Sequence, residues 1–320
     1  MADPVARGYK TQCLMDFESV FGTLPDAGDR AGVILPINSF GLNVSRNKNS
    51  AQTLTGRRDP VEPFDGNTEV TGDVVVPVDV TAFGYWLKLL LGTPTTTGSG
   101  APYTHVFKVS DTTPSGIVQC TYGTATESYG LFSGVKCSSM SMTVGGDEEL
   151  TATFSLAGRD ATYSTTDYDS NASLVTLKRL NNFQATLKKD SVAFATCTQV
   201  DFTIDNGLDT SIRTIGGQGM VYDIPEGIMS VTGTMNCLFT DTTLLAAAKA
   251  STEMALELAI AIDASNSLTF KFPEVQLQYQ GPTVDGPTGI MAEFPFVAYF
   301  SNSADDSVVV ATLVNSTASY

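Results

Sequence analysis

The sequence is poor in the residues that build catalytic centres. Among its 320 residues there is one histidine, His105, and the charged residues make up only 16% of the chain. A Ser-His-Asp or Cys-His arrangement would have to be built on His105. That residue lies in the strand-like run Tyr103 to Phe107, so we interpret it as an ordinary strand histidine. The sequence therefore indicates no catalytic residue and no cofactor.

Metal-binding patterns are missing too. The cysteines are odd in number and far apart, without a CxxC pair: Cys13, Cys120, Cys137, Cys197 and Cys237. They predict reduced, mostly buried thiols. The acidic groups Asp147 to Glu149 and Asp305-Asp306 lack the ordered spacing of oxygen ligands around calcium, which favours solvated turns. We expect no metal site.

Long apolar segments are absent as well. The stretch from Met1 to Lys10 has no apolar core that would serve as a signal peptide. The longest apolar runs, such as Leu89 to Leu91, are far too short to span a bilayer. We therefore expect no membrane partner, and a protein that is made in a cytoplasm and stays there until it is packaged.

Basic residues are few. The chain has 18 Lys and Arg residues against 34 Asp and Glu residues, which gives a formal net charge of −16. This balance argues against a face that grips phosphates by releasing counterions. An acidic excess usually serves only solubility, but it also suits a channel through which DNA slides without sticking.

The chain does contain many segments in which apolar and polar residues alternate with period two, which is typical of β-strands. The clearest segments run from Val70 to Val78 and from Glu149 to Leu156. Further strands are predicted at 200–204, 231–239, 256–262, 268–272, 275–279 and 290–298. The sequence thus predicts a mainly β fold.

Two short helices interrupt this pattern. Asp79 follows a strand and is placed to cap a helix over residues 80–91, whose apolar residues recur at helical spacing. Asp241 also follows a strand and opens a Leu- and Ala-rich helix over residues 242–250. Each helix is expected to lay its apolar stripe on a sheet.

The order of these elements recurs, which indicates an internal duplication. Phe40 and Phe202 are 162 residues apart, Val70 and Val231 are 161 apart, and Asp79 and Asp241 are 162 apart. Each copy has a strand, a long polar loop, a second strand that starts Val-Thr-Gly, the capped helix and a closing hairpin. We predict one domain over residues 1–158, a linker over 159–173 and a second domain over 174–320, with long loops at 45–69 and 206–230.

The first long loop concentrates positive charge in an acidic protein. It contains Arg46, Lys48, Arg57 and Arg58, and Glu62 lies near its end. Loops of this length are uncommon in compact domains unless they are functional or disordered. We hypothesise that this loop is an arm that orders against another subunit, and the alternative is a mobile surface loop.

The stretch GNTEVTGDVVVPVDVTAFGYWLKLLLG, Gly66 to Gly92, resembles the tail tube proteins of long-tailed bacteriophages, of the two-domain type; Glu257 to Gln278 resembles them less closely. The resemblance implies two tandem β-sandwich or barrel domains whose sheets join those of neighbouring subunits into a continuous barrel ring. Single-domain relatives form hexameric rings, so a duplicated chain implies a homotrimer with pseudo-sixfold symmetry. It further implies a structural virion protein, assembled in the host cytoplasm into a hollow tail tube that conducts DNA, with the tape-measure protein and tail terminator as partners.

Acidic residues opposite the apolar strand faces are candidates to line the lumen of such a tube. They are Asp73, Glu149, Asp201, Asp205, Glu257 and Glu293, with Lys136 as a rare basic exception. The alternative is that these side chains face the outer solvent.

Three other classes stay open at this level. An outer-membrane barrel also alternates polar and apolar residues, but it needs a signal peptide and aromatic girdles. A phage decoration or adhesin-type β-sandwich gives no reason for the duplicated unit. A glycan-processing β enzyme would rest on a carboxylate pair that only the fold can bring together.

Overall fold

The computed structural model describes residues 5–123, 128–284, 286–287 and 289–320. The fold is mainly β. Its strands are β1 Gln12–Phe17, β2 Val33–Leu35, β3 Ser39–Phe40, β4 Asn43–Asn49, β5 Phe64–Pro77, β6 Thr95–Thr97, β7 Tyr103–Lys108, β8 Gly116–Tyr122, β9 Ser128–Val144, β10 Thr151–Gly158, β11 Asp160–Ser164, β12 Ser173–Leu174, β13 Ala185–Lys189, β14 Val192–Ala193, β15 Cys197–Asp205, β16 Ser230–Leu238, β17 Met254–Asp263, β18 Asn266–Leu277, β19 Met291–Ala298 and β20 Val310–Asn315. The α-helices are α1 Phe83–Leu91 and α2 Thr243–Lys249, and two short 3₁₀ turns lie at Gly8–Lys10 and Asn182–Gln184.

Six strands form one continuous antiparallel run in the order β5, β10, β9, β15, β16 and β19. β3 and β4 pair with β5 at one end of this run, and β18 pairs with β19 at the other. The run passes from the first half of the chain into the second at the β9–β15 pair. The two halves therefore share one sheet.

The remaining strands extend the sheet around this run. β8 and β11 pair with the first half of β9, and β1 lies between β8 and β2. In the second half, β17 lies between β13 and β18. β20 pairs with β18 on one side and with β7 of the first half on the other, so it ties the two halves together a second time.

One large apolar cluster fills the space between the sheet and the helices. Trp86 of α1 stacks on Phe154 of β10 with ring centroids 5.1 Å apart, and Phe83 meets the same ring edge-on at 5.7 Å. The predicted alternation is confirmed here, because the inward side chains of β5, β10, β15 and β19 are all buried.

Both predicted helices are present but shorter than expected. α1 begins at Phe83 because residues 80–82 form a turn, in which Asp79 Oδ1 accepts hydrogen bonds from the amides of Thr81 (2.5 Å) and Ala82 (2.6 Å). α2 begins after Asp241, whose Oδ1 accepts a hydrogen bond from the amide of Thr243 at 2.8 Å. The N-cap residues are Ala82 and Thr242, so each aspartate accepts from backbone amides where the chain enters its helix and is not the N-cap residue that the sequence predicted.

Two predicted segments differ from the structure. The loop predicted at 45–69 is largely a hairpin, since β4 runs to Asn49 and β5 starts at Phe64, which leaves a loop of residues 50–63. After the half-buried Val44, β4 is polar and solvent-exposed on both faces, so residues 45–49 carry no alternation to detect. The stretch predicted as a linker at 159–173 contains β11, which pairs with β9. The second long loop, 206–230, keeps its bounds to within one residue at β16.

The shared Val-Thr-Gly tripeptide has a structural reason. A Cβ on Gly72 would lie 2.1 Å from the carbonyl oxygen of Gly41, and one on Gly233 would lie 2.4 Å from that of Asp201. Both glycines thus admit the close approach of the preceding strand. Leu42 lies opposite Gly72 in the same way as Phe202 lies opposite Gly233. Leu42, rather than Phe40, is therefore the equivalent of Phe202. The sequence offset between the first strands of the two units is thus two residues smaller than the offset between Phe40 and Phe202.

Candidate assembly surface

The β9–β15 pair is the contact that joins the two halves. Six residue pairs form it, from Ser139 opposite Asp205 to Val144 opposite Val200. Asn206, directly after β15, is buried, and its side-chain amide donates hydrogen bonds to the carbonyl oxygens of Leu90 and Cys137, each at 2.9 Å. A buried polar group with both amide hydrogens used fixes the register of such a pair. We call the β9–β15 contact the intrachain seam.

The loop 206–230 reinforces the seam by lying on the first half. The amide of Thr68 donates to the carbonyl oxygen of Gly219 at 3.0 Å, next to the β4–β5 hairpin. Farther along, Glu226 accepts from Lys136 Nζ at 2.9 Å and from Thr113 Oγ1 at 2.5 Å. Hydrogen bonds from Thr113 and Lys136 oppose the effect of burial and hold the pKa of Glu226 below its usual value.

Lys136 is therefore not a basic exception on a solvent-facing strand face, as the sequence pattern suggested. Its side chain is only 9% exposed and forms an ion pair with Glu226. The register between β9 and β10 shifts beside Leu156 of β10, and this shift changes which side chains of β9 point inward. An inward–outward alternation counted from one end of β9 is therefore wrong for the residues on the other side of the shift.

The face of the six-stranded run that points away from the core is lined mainly by hydroxyl side chains. These are Thr71, Ser139, Ser141, Thr143, Thr151, Thr153, Ser155, Thr203, Thr232 and Thr234, all exposed or half-buried. We call this surface the hydroxyl face. None of the outward positions on these strands holds Lys or Arg, so the charged groups on the face are carboxylates.

Four of the six acidic candidates lie on the hydroxyl face. One row across the strands starts at Asp73 and ends at Asp205, with Ser155 and Ser139 between them. Asp201 and Glu293 belong to the second half of the same face. Burial and the nearby carboxylate of Glu293 raise the pKa of Asp201, so like charges are crowded here.

The other two acidic candidates lie elsewhere. Glu149 is at the rim of the face, where it forms an ion pair with Arg179 at 2.7 Å and accepts a hydrogen bond from Asn38 at 2.8 Å. Glu257 lies on β17, outside the six-stranded run, and pairs with Lys188 at 2.6 Å. The structure thus brings Asp73, Asp201, Asp205 and Glu293 onto the hydroxyl face, places Glu149 at its rim beside Thr151 and Thr153, and leaves Glu257 off it.

The basic candidates divide into two groups. Arg46 and Lys48 on β4 are engaged within the chain: both pair with Asp65, and Arg46 also donates to the carbonyl oxygen of Gln218 at 3.2 Å. Arg46 thus links the hairpin to the loop 206–230, whereas Lys48 joins the two strands of the hairpin. Their charges are therefore already neutralised or bound inside one chain.

The tip of the hairpin presents the remaining candidates to solvent. Arg57 pairs only with its near neighbour Asp59, at 2.8 Å, and both side chains are at least 70% exposed. Arg58 and Glu62 are exposed, and neither has an ion-pair partner within the described part of the chain. We call residues 50–63 the arm.

The described residues also give a clear account of the cysteines and of His105. Four thiols are buried and Cys197 is half-buried, as free cysteines. Burial raises the pKa of Cys120 to about 11. His105 is fully buried on β7, with its Nδ1 2.8 Å from Thr96 Oγ1, so it is the strand histidine that the sequence predicted. Over the described ranges no three His, Cys, Asp or Glu side chains are grouped so that they could hold a metal ion.

Sequence reasoning missed the residues that build the seam. Asn206 carries no pattern that separates a buried bridging amide from a loop asparagine, and Glu226 is 90 positions away from Lys136. The only available signal was Lys136, a lysine among acidic residues on the predicted strand faces.

Comparison with known proteins agrees with this architecture. A family model described as phage tail tube protein matches residues 8–298. No curated protein matches the chain. None of the helices in the described ranges is long and apolar enough to cross a membrane. Because the family match covers nearly the whole sequence, with the duplicated β unit inside it, the chain belongs to the phage tail tube protein family.

Proposed function

We propose that the chain is a structural subunit that polymerises into the hollow tail tube of a phage and catalyses no reaction. The observation that carries the proposal is the sheet that runs through both halves and leaves unpaired backbone at each end, along β3 and β4 at one end and along residues 278–283, after β18, at the other. A sheet open at both ends gains hydrogen bonds when copies join edge to edge, and a closed ring leaves no edge exposed.

The duplication supports a ring of three chains. Each chain supplies two similar units, so three chains supply six units and give a pseudo-sixfold ring. Stacked rings then form the tube, with the virion tail as its location and the host cytoplasm as the place of assembly. The tape-measure protein and the tail terminator are the partners that this role requires.

The hydroxyl face is our candidate for the lumen wall. Ser and Thr side chains hydrate the surface without charge, and Asp73, Asp201, Asp205 and Glu293 repel a polyanion. A wall without Lys or Arg offers DNA no site at which to release counterions. DNA is then conducted during ejection without specific binding.

The arm is our candidate for contact between rings. Its Arg57 and Arg58 are exposed and can meet acidic groups on a neighbouring copy, and the exposed Glu62 can meet a basic group there. The net charge of −16 supplies acidic surfaces on every copy.

Negative-stain electron microscopy of the purified protein at rising concentration tests the proposed function. We expect hollow tubes or stacked rings. A chain that stays monomeric at every concentration contradicts the proposal and favours the decoration or adhesin-type interpretation.

A further inference from the structure

The intrachain seam provides a template for the contact between chains. The first half contains a four-strand unit in the order β3/β4, β5, β10 and β9, and the second half contains β15, β16, β19 and β18 in the same order. The seam joins the last strand of the first unit to the first strand of the second. Around a ring, the same contact would join the end of β18 to β3 and β4 of the next chain.

Pairing inside each unit shows which positions correspond. In the first strands, Val44 faces Val70 and Ile204 faces Val231, so Val44 corresponds to Ile204. The offset between these strands is 160 residues, from 44 to 204.

The last strands are matched in the same way. Phe154 of β10 and Phe294 of β19 hold equivalent positions, and Phe154 faces Met140. Beyond β18, the amide of Gln278 donates to the carbonyl oxygen of Pro295 at 2.7 Å, which continues the β18–β19 register and places Tyr279 opposite Phe294. Tyr279 therefore corresponds to Met140.

Both edges lack a strand partner in the described part of the chain. β3 and β4 pair with β5 only. β17 accompanies β18 only as far as Val275, and Gln278 is the last residue of this segment whose backbone bonds to β19. Residues 278–283 therefore have no strand on the side away from β19. Tyr279 is 59% exposed although its counterpart Met140 is fully buried at the intrachain seam.

Backbone directions at the two edges agree with this match. The amide of Gly41 donates to Asp73 of β5 at 2.8 Å, so by strand alternation the amides of Leu42 and Val44 point away from β5. The amide of Val44 is indeed bound at 2.9 Å by its neighbour's side chain, Asn43 Oδ1, rather than by a strand. Since the amide of Gln278 points to β19, that of Tyr279 points to the free edge.

We propose that residues 40–45 of one chain pair antiparallel with residues 278–283 of a second copy of this chain. This inference rests on the proposed function, because it needs copies that assemble. The register copied from the intrachain seam pairs Ser45 with Gln278, Val44 with Tyr279, Asn43 with Gln280, Leu42 with Gly281, Gly41 with Pro282 and Phe40 with Thr283. By strand alternation, the backbone nitrogen of Pro282 points toward β19. Its lack of an N–H group therefore removes no hydrogen bond from the proposed contact between chains.

Paired cysteines test the register. Asn43 and Gln280 are both exposed, and in the proposed register they form a pair without mutual hydrogen bonds, in which Cα atoms lie about 4.5 Å apart. This separation lies within the range that a disulfide spans. We expect the Asn43→Cys/Gln280→Cys variant, assembled and then oxidised, to give dimers and trimers on a non-reducing gel.

The matched control is Asn43→Cys/Gln278→Cys. Its second cysteine lies on the same face but two residues farther along the strand, where the Cα atoms of the two cysteines would be about 7–8 Å apart. It should give at least tenfold less cross-linked product, and each single variant should give none. Tubes that form without a 43–280 cross-link, or with a stronger 43–278 cross-link, would overturn the register while leaving the proposed function intact. A protein that never assembles would instead defeat the proposed function and this inference with it.

Hydrogen exchange on the unmodified protein provides a test that does not depend on variants. In assembled tubes, the amides of Leu42, Val44, Tyr279 and Gly281 should exchange at least tenfold more slowly than in the monomer. Equal rates in the two states would overturn the inference even where the cysteine variants fail to fold.

Discussion

Asp79 is a buried carboxylate with half of its hydrogen-bonding capacity unused. Oδ1 accepts the two amides that lead into α1, whereas Oδ2 is buried without a partner. Burial raises the pKa of Asp79 to about 6, against the ordinary value of 3.8. The side chain thus caps the turn that leads into α1, rather than α1 itself, and its negative charge destabilises the folded state.

This arrangement predicts a specific dependence of stability on pH. Because the folded-state pKa lies above the unfolded value, the contribution of Asp79 is fully present below about pH 4 and is lost as the pH rises through 6. An amide at this position keeps an acceptor for the cap and removes the charge. We expect Asp79→Asn to gain up to about 3 kcal/mol of unfolding free energy relative to the natural protein between pH 4 and pH 7.

Urea unfolding of both proteins at several pH values measures this difference. Asp79→Ala is the control, since it removes the cap as well as the charge and should lose about 1 kcal/mol relative to Asp79→Asn at every pH. A difference between Asp79→Asn and the natural protein that stays constant from pH 4 to pH 7 would contradict the assigned pKa.

At the scale of elements, we expect the arm to contribute to assembly but not to the stability of a single chain. Arg57 and Arg58 lie on an exposed tip and contribute little to the stability of one chain, because exposed ion pairs are worth less than about 1 kcal/mol. We expect Arg57→Glu/Arg58→Glu to leave the midpoint of thermal unfolding of the monomer unchanged and to block polymerisation. Circular dichroism and electron microscopy measure the two effects.

A charge-matched control distinguishes the arm from a general charge effect. Lys108→Glu/Lys249→Glu makes the same change at two exposed positions on β7 and α2. This control should still polymerise. Unchanged assembly of the arm variant would show that the arm makes no contact between subunits.

The sequence predicted the elements that have one buried face. Alternation located β5, β10, β15 and β19, and the aspartates before α1 and α2 located the helix starts. It located a strand around Phe40, Leu42 and Val44 but missed the rest of β4, because residues 45–49 are exposed on both faces and show no periodicity. A bulge likewise hid the true direction of Lys136.

Pairing between distant strands was also beyond sequence reasoning. The order of strands in the sheet depends on which edges meet, and Asn206 bonds groups on two elements 69 and 116 positions away. Four of the six acidic candidates share the hydroxyl face because they lie on strands of the central run, whereas Glu257 has the same local pattern on β17. Local alternation gives the face of a strand but not the sheet region to which that face belongs.

At the scale of the whole molecule, the chain resembles an open segment of a larger closed sheet. Two similar units lie side by side, one intrachain seam joins them, and unpaired backbone remains along β3 and β4 at one end and after β18 at the other. In the proposed tube, the hydroxyl face forms the inner wall and the arm forms the contact along the axis. Each of these assignments depends on how many chains close the ring and on which face turns inward.

Cryo-electron microscopy of the assembled tube tests this central claim most directly. We predict three chains per ring with pseudo-sixfold symmetry, and the hydroxyl face, with Asp201 and Glu293, turned toward the lumen. Six chains per ring, or a lumen lined by the opposite side of the sheet, would contradict it.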